Sequence, residues 1–219
     1  MNLSRAYKDY RIAAIVTALF YAVGIAGHIY PPALPLMIAL TPWVLLIFGA
    51  LVILQVNPQP QRRALLWIGG TYLFTFVMEA LGVATGLIFG GYVYGDSLGI
   101  QLFQVPVVIG FNWTIIVLAL SGEIFRLVRN PITGGLLAGL GAVLFDWIME
   151  PAAISLDYWH WDQGGIPLQN YLAWFGIAAL CSWVYGRLRI QTESRLGILY
   201  VLIQLIFFVA LRAAAVQFP

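Results

Sequence analysis

Seven apolar runs, each about as long as a bilayer crossing, dominate this chain and leave it few ways to fold. They lie at about 12–30, 34–56, 64–90, 104–122, 131–154, 168–186 and 196–216. A helix rises 1.5 Å per residue, so about 20 apolar residues span the hydrocarbon layer. Within that layer every backbone N–H and C=O must be satisfied inside the segment, which makes each run a helix. Composition agrees. Of the 219 residues 62% are hydrophobic and 9% charged, with a mean hydropathy of +0.90, whereas a soluble domain carries roughly a quarter charged residues. The chain therefore reads as all-α: a polytopic membrane bundle of about seven transmembrane helices, forming one domain over 1–219. Arg5, Lys8 and Arg11 precede the first run as in a signal peptide. That run is too long and passes through Gly27-His28-Ile29-Tyr30 without a small-residue cleavage pattern, so it reads as a retained anchor. Pro31-Pro32, Pro58, Pro60, Pro131 and Pro167 fall between runs, where proline suits a break or a first helical turn.

Orientation follows from the eleven Lys and Arg residues. With seven crossings, Arg5, Lys8, Arg11, Arg62, Arg63, Arg126, Arg129, Arg187, Arg189 and Arg195 share one side. The other side has only Arg212. Positive charge marks the inner face, which predicts a multi-pass protein of the cell membrane with a cytoplasmic N-terminus and an external C-terminus. The loops at about 91–103 and 155–167 are then external. They hold Tyr92, Tyr94 and Phe103, and Tyr158, Trp159 and Trp161, together with Asp96, Asp157, His160 and Asp162. An interfacial aromatic belt explains any single ring; the density of the second loop favours more. A short echo links Val105-Pro106 and Asn112-Trp113 with Ile166-Pro167, Asn170 and Trp174, as in a duplicated two-helix unit.

Charges inside a bilayer cost about 2.5–3.5 kcal/mol each on insertion scales. Three acids nevertheless lie well inside the runs: Glu79 in the third, Asp146 and Glu150 in the fifth. Both runs travel outward, which puts Glu79 and Asp146 at similar depth, and Glu150 one turn further out on the face of Asp146. His28 and Arg212 sit at outer helix ends, so five chargeable groups are expected to converge. Gly82 with Gly86, and Gly135, Gly139 and Ala142, back the acids with small residues that suit close helix packing. One reading of the acids is structural, with Arg212 pairing one carboxylate and His28 another. Three acids against two cations still leave a carboxyl that must be protonated or hydrated. Glu123 with Arg126, and Arg189 with Glu193, read as ordinary interfacial pairs.

Absences exclude several classes. Two histidines cannot supply the boxes of membrane di-iron enzymes, and no His-Glu-x-x-His is present. The only lysine, Lys8, lies outside the runs, which removes a retinal Schiff base. Cys181 is alone, so neither a disulfide nor a thiolate metal cage can form. No phosphate loop, Rossmann fingerprint or basic nucleic-acid face appears. No nucleic-acid partner is expected.

The residues do resemble a known family. Glu79-Ala-Leu-Gly-Val-Ala-Thr-Gly-Leu-Ile-Phe-Gly-Gly-Tyr-Val-Tyr94, Val105-Pro106, Asp146-Trp-Ile-Met-Glu-Pro151, Trp159-His-Trp161, Gly165-Ile-Pro167 and Asn170 are similar to the carotenoid biosynthesis membrane protein family, which includes the CruF-type carotenoid 1,2-hydratases. The likeness covers most of 70–180; Ala173-Trp174 stands where a Gly-Trp pair is expected. The resemblance implies addition of water across the terminal isopropylidene bond of an acyclic carotenoid such as lycopene, γ-carotene or a bacterioruberin precursor. It implies a substrate drawn from the lipid membrane, without redox cofactor or metal, and other carotenoid-pathway enzymes as partners. Alkene hydration fits the residues on its own terms: a protonated carboxyl donates, a second carboxylate assists, and aromatic faces steady a tertiary cation. Asp146 or Glu79 is the candidate acid, with Glu150 as partner. Tyr92, Tyr94, Asn112, Trp147, Trp159, His160, Trp161 and Asn170 are candidate substrate contacts, with His28 and Arg212 as supporting charges. A cyclase or isomerase would use the same acids but capture the cation internally. A proton-coupled transporter would need polar residues through both halves of the membrane, whereas the second run has only Thr41 and Gln55.

Overall fold

A computed structural model describes residues 3–56, 62–192 and 195–216. These form seven long helices: α1 (Leu3–Ile29), α2 (Leu34–Val56), α3 (Arg62–Thr85), α4 (Val107–Leu127), α5 (Pro131–Ser155), α6 (Leu168–Arg187) and α7 (Leu196–Ala213). Four short strands lie between helices: β1 (Tyr92–Tyr94), β2 (Gln101–Leu102), β3 (Val105–Pro106) and β4 (Trp159–Trp161). Six of the helices are long and apolar enough to cross a membrane. The seventh, α6, falls short of the seven spans expected because its first turn is Gln169-Asn170-Tyr171. It nevertheless stays in the bundle against α5. The fold is a polytopic all-α membrane bundle.

Helix α4 is the central post. It packs against α2, α3, α5, α6 and α7, and is buried along most of its length from Val108 to Gly122. A helix apolar on all sides belongs in such a position. Outward faces of the other helices carry Leu19, Phe20, Val23, Trp43, Ile47 and Leu54, all largely exposed. In water such a surface would be an aggregation site; in lipid it is the solvent boundary.

Helix ends follow local chemistry. Pro131 opens α5 behind Asn130, whose Oδ1 accepts from the backbone N–H groups of Ile132 and Thr133 at 2.8 and 3.2 Å, an N-cap with proline at the first helical position. The third run was expected to stay helical to about 90, but α3 stops at Thr85. Gly86 takes φ +65° and its N–H bonds to the Gly82 carbonyl at 2.8 Å, a C-terminal arrangement that suits glycine. Gly86 therefore does not share a helical face with Gly82. The chain instead turns back and lays the Phe89 ring on Gly82, where an added Cβ would meet it at 2.4 Å. The fourth run begins later than expected, at Val107, because Val105–Pro106 pairs as a strand with Gln101–Leu102.

Glycines set the closest helix approach. A Cβ on Gly135 would lie 2.7 Å from the Ala179 carbonyl oxygen, and one on Gly139 would lie 2.8 Å from that of Phe175. Close packing of α5 on α6 depends on these two positions, since α6 has backbone rather than a yielding side chain there. At the opposite end from the strands, Glu123 pairs with Arg126 at 3.4 Å and Arg195 at 3.9 Å, while Arg126 Nη2 donates to the Thr192 carbonyl at 2.9 Å. Glu193, expected to pair with Arg189, lies outside the described residues, as do Pro58 and Pro60.

Gly139→Val is expected to destabilise the protein by about 1–3 kcal/mol through overpacking. Gly176→Ala, on α6 with nothing within 4 Å of its added methyl, is expected to be neutral or stabilising by up to about 1 kcal/mol. Thermal unfolding in detergent, followed by circular dichroism, checks both.

Candidate active site

The strand-bearing end of the bundle is closed by a two-stranded ribbon. β1 and β4 pair antiparallel with Tyr92 opposite Trp161, Val93 opposite His160 and Tyr94 opposite Trp159. Side chains alternate across a strand, so Tyr92, Tyr94, Trp159 and Trp161 share the inner face. Val93 is half exposed and the His160 side chain is 54% exposed on the outer one. The rings are in contact: Tyr92 and Trp161 centroids lie 5.0 Å apart, and those of Tyr94 and Trp159 lie 5.9 Å apart. Backbone bonds from Gly95 N to the Tyr158 carbonyl and from Asp162 N to the Gly91 carbonyl, both 3.0 Å, lock the two loops together.

Beneath this lid lie the three acids, at 3% (Glu79), 1% (Asp146) and 2% (Glu150) exposure. Lid and acids are joined by hydrogen bonds. Both tyrosine hydroxyls donate to Glu79 Oε2, Tyr94 at 2.8 Å and Tyr92 more closely. Burial first, then the adjacent Glu79, holds both phenols well above the ordinary tyrosine range, so both remain donors. Both indoles of β4 donate to Glu150 Oε2, Trp159 at 3.0 Å and Trp161 at 3.1 Å. Asn170, on the polar first turn of α6, donates to Asp146 Oδ2 at 2.6 Å and reaches Glu150 Oε1 at 3.5 Å. The acids share a niche of about 30 Å³ with the four lid rings, Trp113 and Trp174, which is room for water. Trp113 stacks on Trp174 with centroids 3.6 Å apart, and Phe89 stacks on Trp174 at 5.3 Å.

A second cavity of about 370 Å³ adjoins the niche. Ile109, Asn112, Met149 and Trp159 line both. Phe20 and Val23 of α1 and Leu40, Trp43 and Ile47 of α2 line its other end and are themselves exposed on the outer surface. The chamber therefore reaches the outer surface along α1 and α2 and adjoins the acid niche. Its walls are overwhelmingly apolar, with Phe48, Phe207 and Phe208 contributing bulk.

The sequence-predicted residues divide into three groups. Glu79, Asp146, Glu150, Tyr92, Tyr94, Asn112, Trp159, Trp161 and Asn170 meet at the niche. His28 is buried, but it lines the apolar chamber and, among the described residues, pairs with no acid: its Nδ1 lies 2.7 Å from the Gly24 carbonyl. Three expected positions fall elsewhere. Trp147 follows Asp146 by one residue, about 100° round the helix, and is 56% exposed on the outer face. His160 alternates with the two indoles, so it points away and meets Asp157 instead. Arg212 is exposed, and no ion pair among the described residues joins it to the acids. The expected five-charge convergence is thus three acids held by neutral donors. Gln204, missed in the sequence, donates from Nε2 to Asn112 Oδ1 at 3.1 Å; its signal was a lone amide in the apolar last run. Among the described residues no group of three His, Cys, Asp or Glu is arranged to hold a metal ion.

Comparison with known proteins agrees with the residues. The family described as carotenoid biosynthesis protein matches residues 40–218. The bisanhydrobacterioruberin hydratase of Haloarcula japonica is 30% identical over 182 residues, covering 74% of this chain and 60% of that protein. The chain therefore spans about 60% of the length of that relative. No solved structure matches. With four-fifths of its length matched and the acids and lid within that stretch, the chain belongs to the carotenoid biosynthesis protein family.

Proposed function

We propose that the chain is a carotenoid hydratase of the cell membrane. It adds water across the terminal isopropylidene double bond of an acyclic carotenoid end. The observation that carries this reading is the junction of two cavities: an apolar chamber that reaches the outer surface adjoins a niche holding three buried carboxyls. A long polyene is insoluble in water and needs a lateral route in, which the face along α1 and α2 supplies. The chamber lies at the small end of the range for ligand pockets, about 300–1,000 Å³, so it takes one end of such a molecule. The name of the Haloarcula relative supports the reaction class.

The hydrogen-bond inventory supports a division of roles among the carboxyls. Glu79 Oε2 and Glu150 Oε2 each accept from two donors, which suits a carboxylate. Among the described residues Asp146 accepts from the Asn170 amide alone, which suits the holder of a proton. Asp146 delivers that proton to the less substituted alkene carbon, and the π pair forms the new C–H bond. The positive charge rests on the tertiary carbon, faced by Glu150 and by the electron-rich rings of the lid. Water in the niche adds its oxygen to that carbon and gives a proton to Glu150. Passage of this proton to Asp146, one helical turn away and held by the same Asn170, restores the starting state. The sum is one water added and no redox change. A cyclase would use the same first step; water-sized space beside the acids favours hydration.

Asp146→Asn is expected to lower turnover by about 10²–10⁴-fold, the usual worth of a general acid, while keeping the fold. In a lycopene-producing host, wild type is expected to give a more polar pigment heavier by one water, read by chromatography and mass analysis. A product of unchanged mass would point to cyclisation. Asn170→Leu strands two buried acids without their shared donor and is expected to cost about 1–3 kcal/mol of stability, measured by thermal unfolding.

A further inference from the structure

Tyr92, Tyr94, Trp159, Trp161 and Asn170 all spend hydrogens on the carboxyls of the niche. Asn112, on α4, lines the same niche but gives no hydrogen to an acid among the described residues. Its Oδ1 instead accepts from Gln204 Nε2 of α7 at 3.1 Å. Oxygen and nitrogen of an amide are told apart by their partners, so this bond decides which arm of Asn112 faces where. Gln204 lines the chamber and not the niche. Oδ1 is therefore turned to the chamber side, and the other arm of the fork, Nδ2, is turned to the niche. That arm makes no hydrogen bond among the described residues, and Asn112 keeps 8% exposure.

Gln204 is itself held in one orientation. Tyr21 of α1 donates to the Tyr200 hydroxyl of α7 at 3.3 Å. The hydrogen that Tyr200 keeps lies beside Gln204, one turn along the same helix. Given to Gln204 Oε1, it leaves Nε2 to donate to Asn112. Tyr21, Tyr200, Gln204 and Asn112 thus form a run whose hydrogen bonds all point the same way, from α1 through α7 to α4. Tyr200 and Gln204 are fully buried, so bulk water does not compete for these bonds. The run ends in an unspent amide donor facing a space of about 30 Å³ that Glu150 also lines. A polar space of that size is room for water.

We infer that Asn112 Nδ2 holds the water that captures the cation, with Gln204 as the residue that positions Asn112. This rests on the hydratase reading. A water has two lone pairs and two hydrogens. One lone pair accepts from Nδ2, one hydrogen goes to Glu150, and the second lone pair is left to face the tertiary carbon. Asn112 lines the chamber as well, so the water waits where the polyene end arrives. When the cation forms, the water oxygen bonds to it and a water proton passes to Glu150. A cation that is not caught loses a proton from a neighbouring carbon, which returns the polyene or a double-bond isomer of it. Asn112 therefore sets the ratio of hydration to return and leaves the protonation step to the acids.

The test incubates the full chain in detergent with lycopene in heavy water and reads the pigments by mass analysis. Each protonation delivers a deuteron, so a captured cation appears as water-added product and a returned one as deuterium-labelled polyene. Wild type is expected to hydrate and to leave little label in the recovered polyene. Asn112→Leu is expected to raise the ratio of labelled polyene to hydrated product about tenfold, the worth of about one hydrogen bond. Gln204→Leu keeps the Asn112 amide but frees it to turn, and is expected to shift the ratio the same way by a smaller factor. The ratio counts only molecules that have protonated, so a loss of folded protein does not change it. A ratio unchanged in Asn112→Leu overturns the inference and leaves the hydratase reading standing. Where Asn112→Leu gives no folded protein, an unchanged ratio in Gln204→Leu overturns it in the same way. A wild type that leaves lycopene neither hydrated nor labelled overturns the hydratase reading, and this inference with it.

Discussion

The hydrogen bonds from four aromatic side chains to two buried carboxyls are the constraint on which the rest of this structure depends. Carboxyls in the middle of a membrane bundle need donors, and each unsatisfied one is expensive. An arginine would satisfy them but would also fix their charge and fill the space. Phenols and indoles donate without charge, are wide enough to roof a cavity, and have electron-rich faces. To bring four of them onto one side, the chain uses the shortest ribbon that will serve, three residues against three. That ribbon in turn explains why α3 ends early at Gly86 and why the two loops are knitted by backbone bonds. It also accounts for the place of Gly82, which leaves room for Phe89 beneath the lid.

Polar and apolar functions are separated in space but share a wall. Asn112, Met149, Ile109 and Trp159 belong to both cavities, and α4, which supplies two of the four, is the most deeply buried helix in the bundle. A rigid central helix suits the proposed reaction, which needs a reacting carbon held within reach of an acid. The flexible choice would be α1 or α2, and these instead line the chamber where it reaches the outer surface.

Much of this was legible in the sequence. Buried acids announce themselves because a membrane makes charge costly, and the small-residue stripe on α5 reads directly as close packing. The bundle and family were equally accessible, the family because motifs at the acids and lid fall in order. Pairing of the lid was not. The spacing from Glu79 to Tyr92 and Tyr94 recurs from Asp146 to Trp159 and Trp161, yet nothing in that echo tells that the strands meet antiparallel. Nor does it tell that the indoles reach past Asp146 to Glu150. The misplacements have simple geometric causes: a helix turns about 100° per residue and a strand alternates, which sends Trp147 and His160 outward. Arg212 was placed by depth alone, and depth says nothing about which face of α7 it occupies. Gln204 and the chamber needed the assembled bundle, since a cavity formed by four helices has no local signature.

In the proposed hydration Asp146 holds the proton, while Glu79 and Glu150 are carboxylates held by the lid. Infrared spectroscopy of the carboxyl C=O stretch, in the detergent-solubilised protein and its single acid variants, reads that division directly. The band of a buried protonated acid is predicted in wild type, retained in Glu79→Gln and Glu150→Gln, and lost in Asp146→Asn. A band that survives Asp146→Asn and disappears in Glu79→Gln would contradict the account and move the donor to the tyrosine-bonded carboxyl.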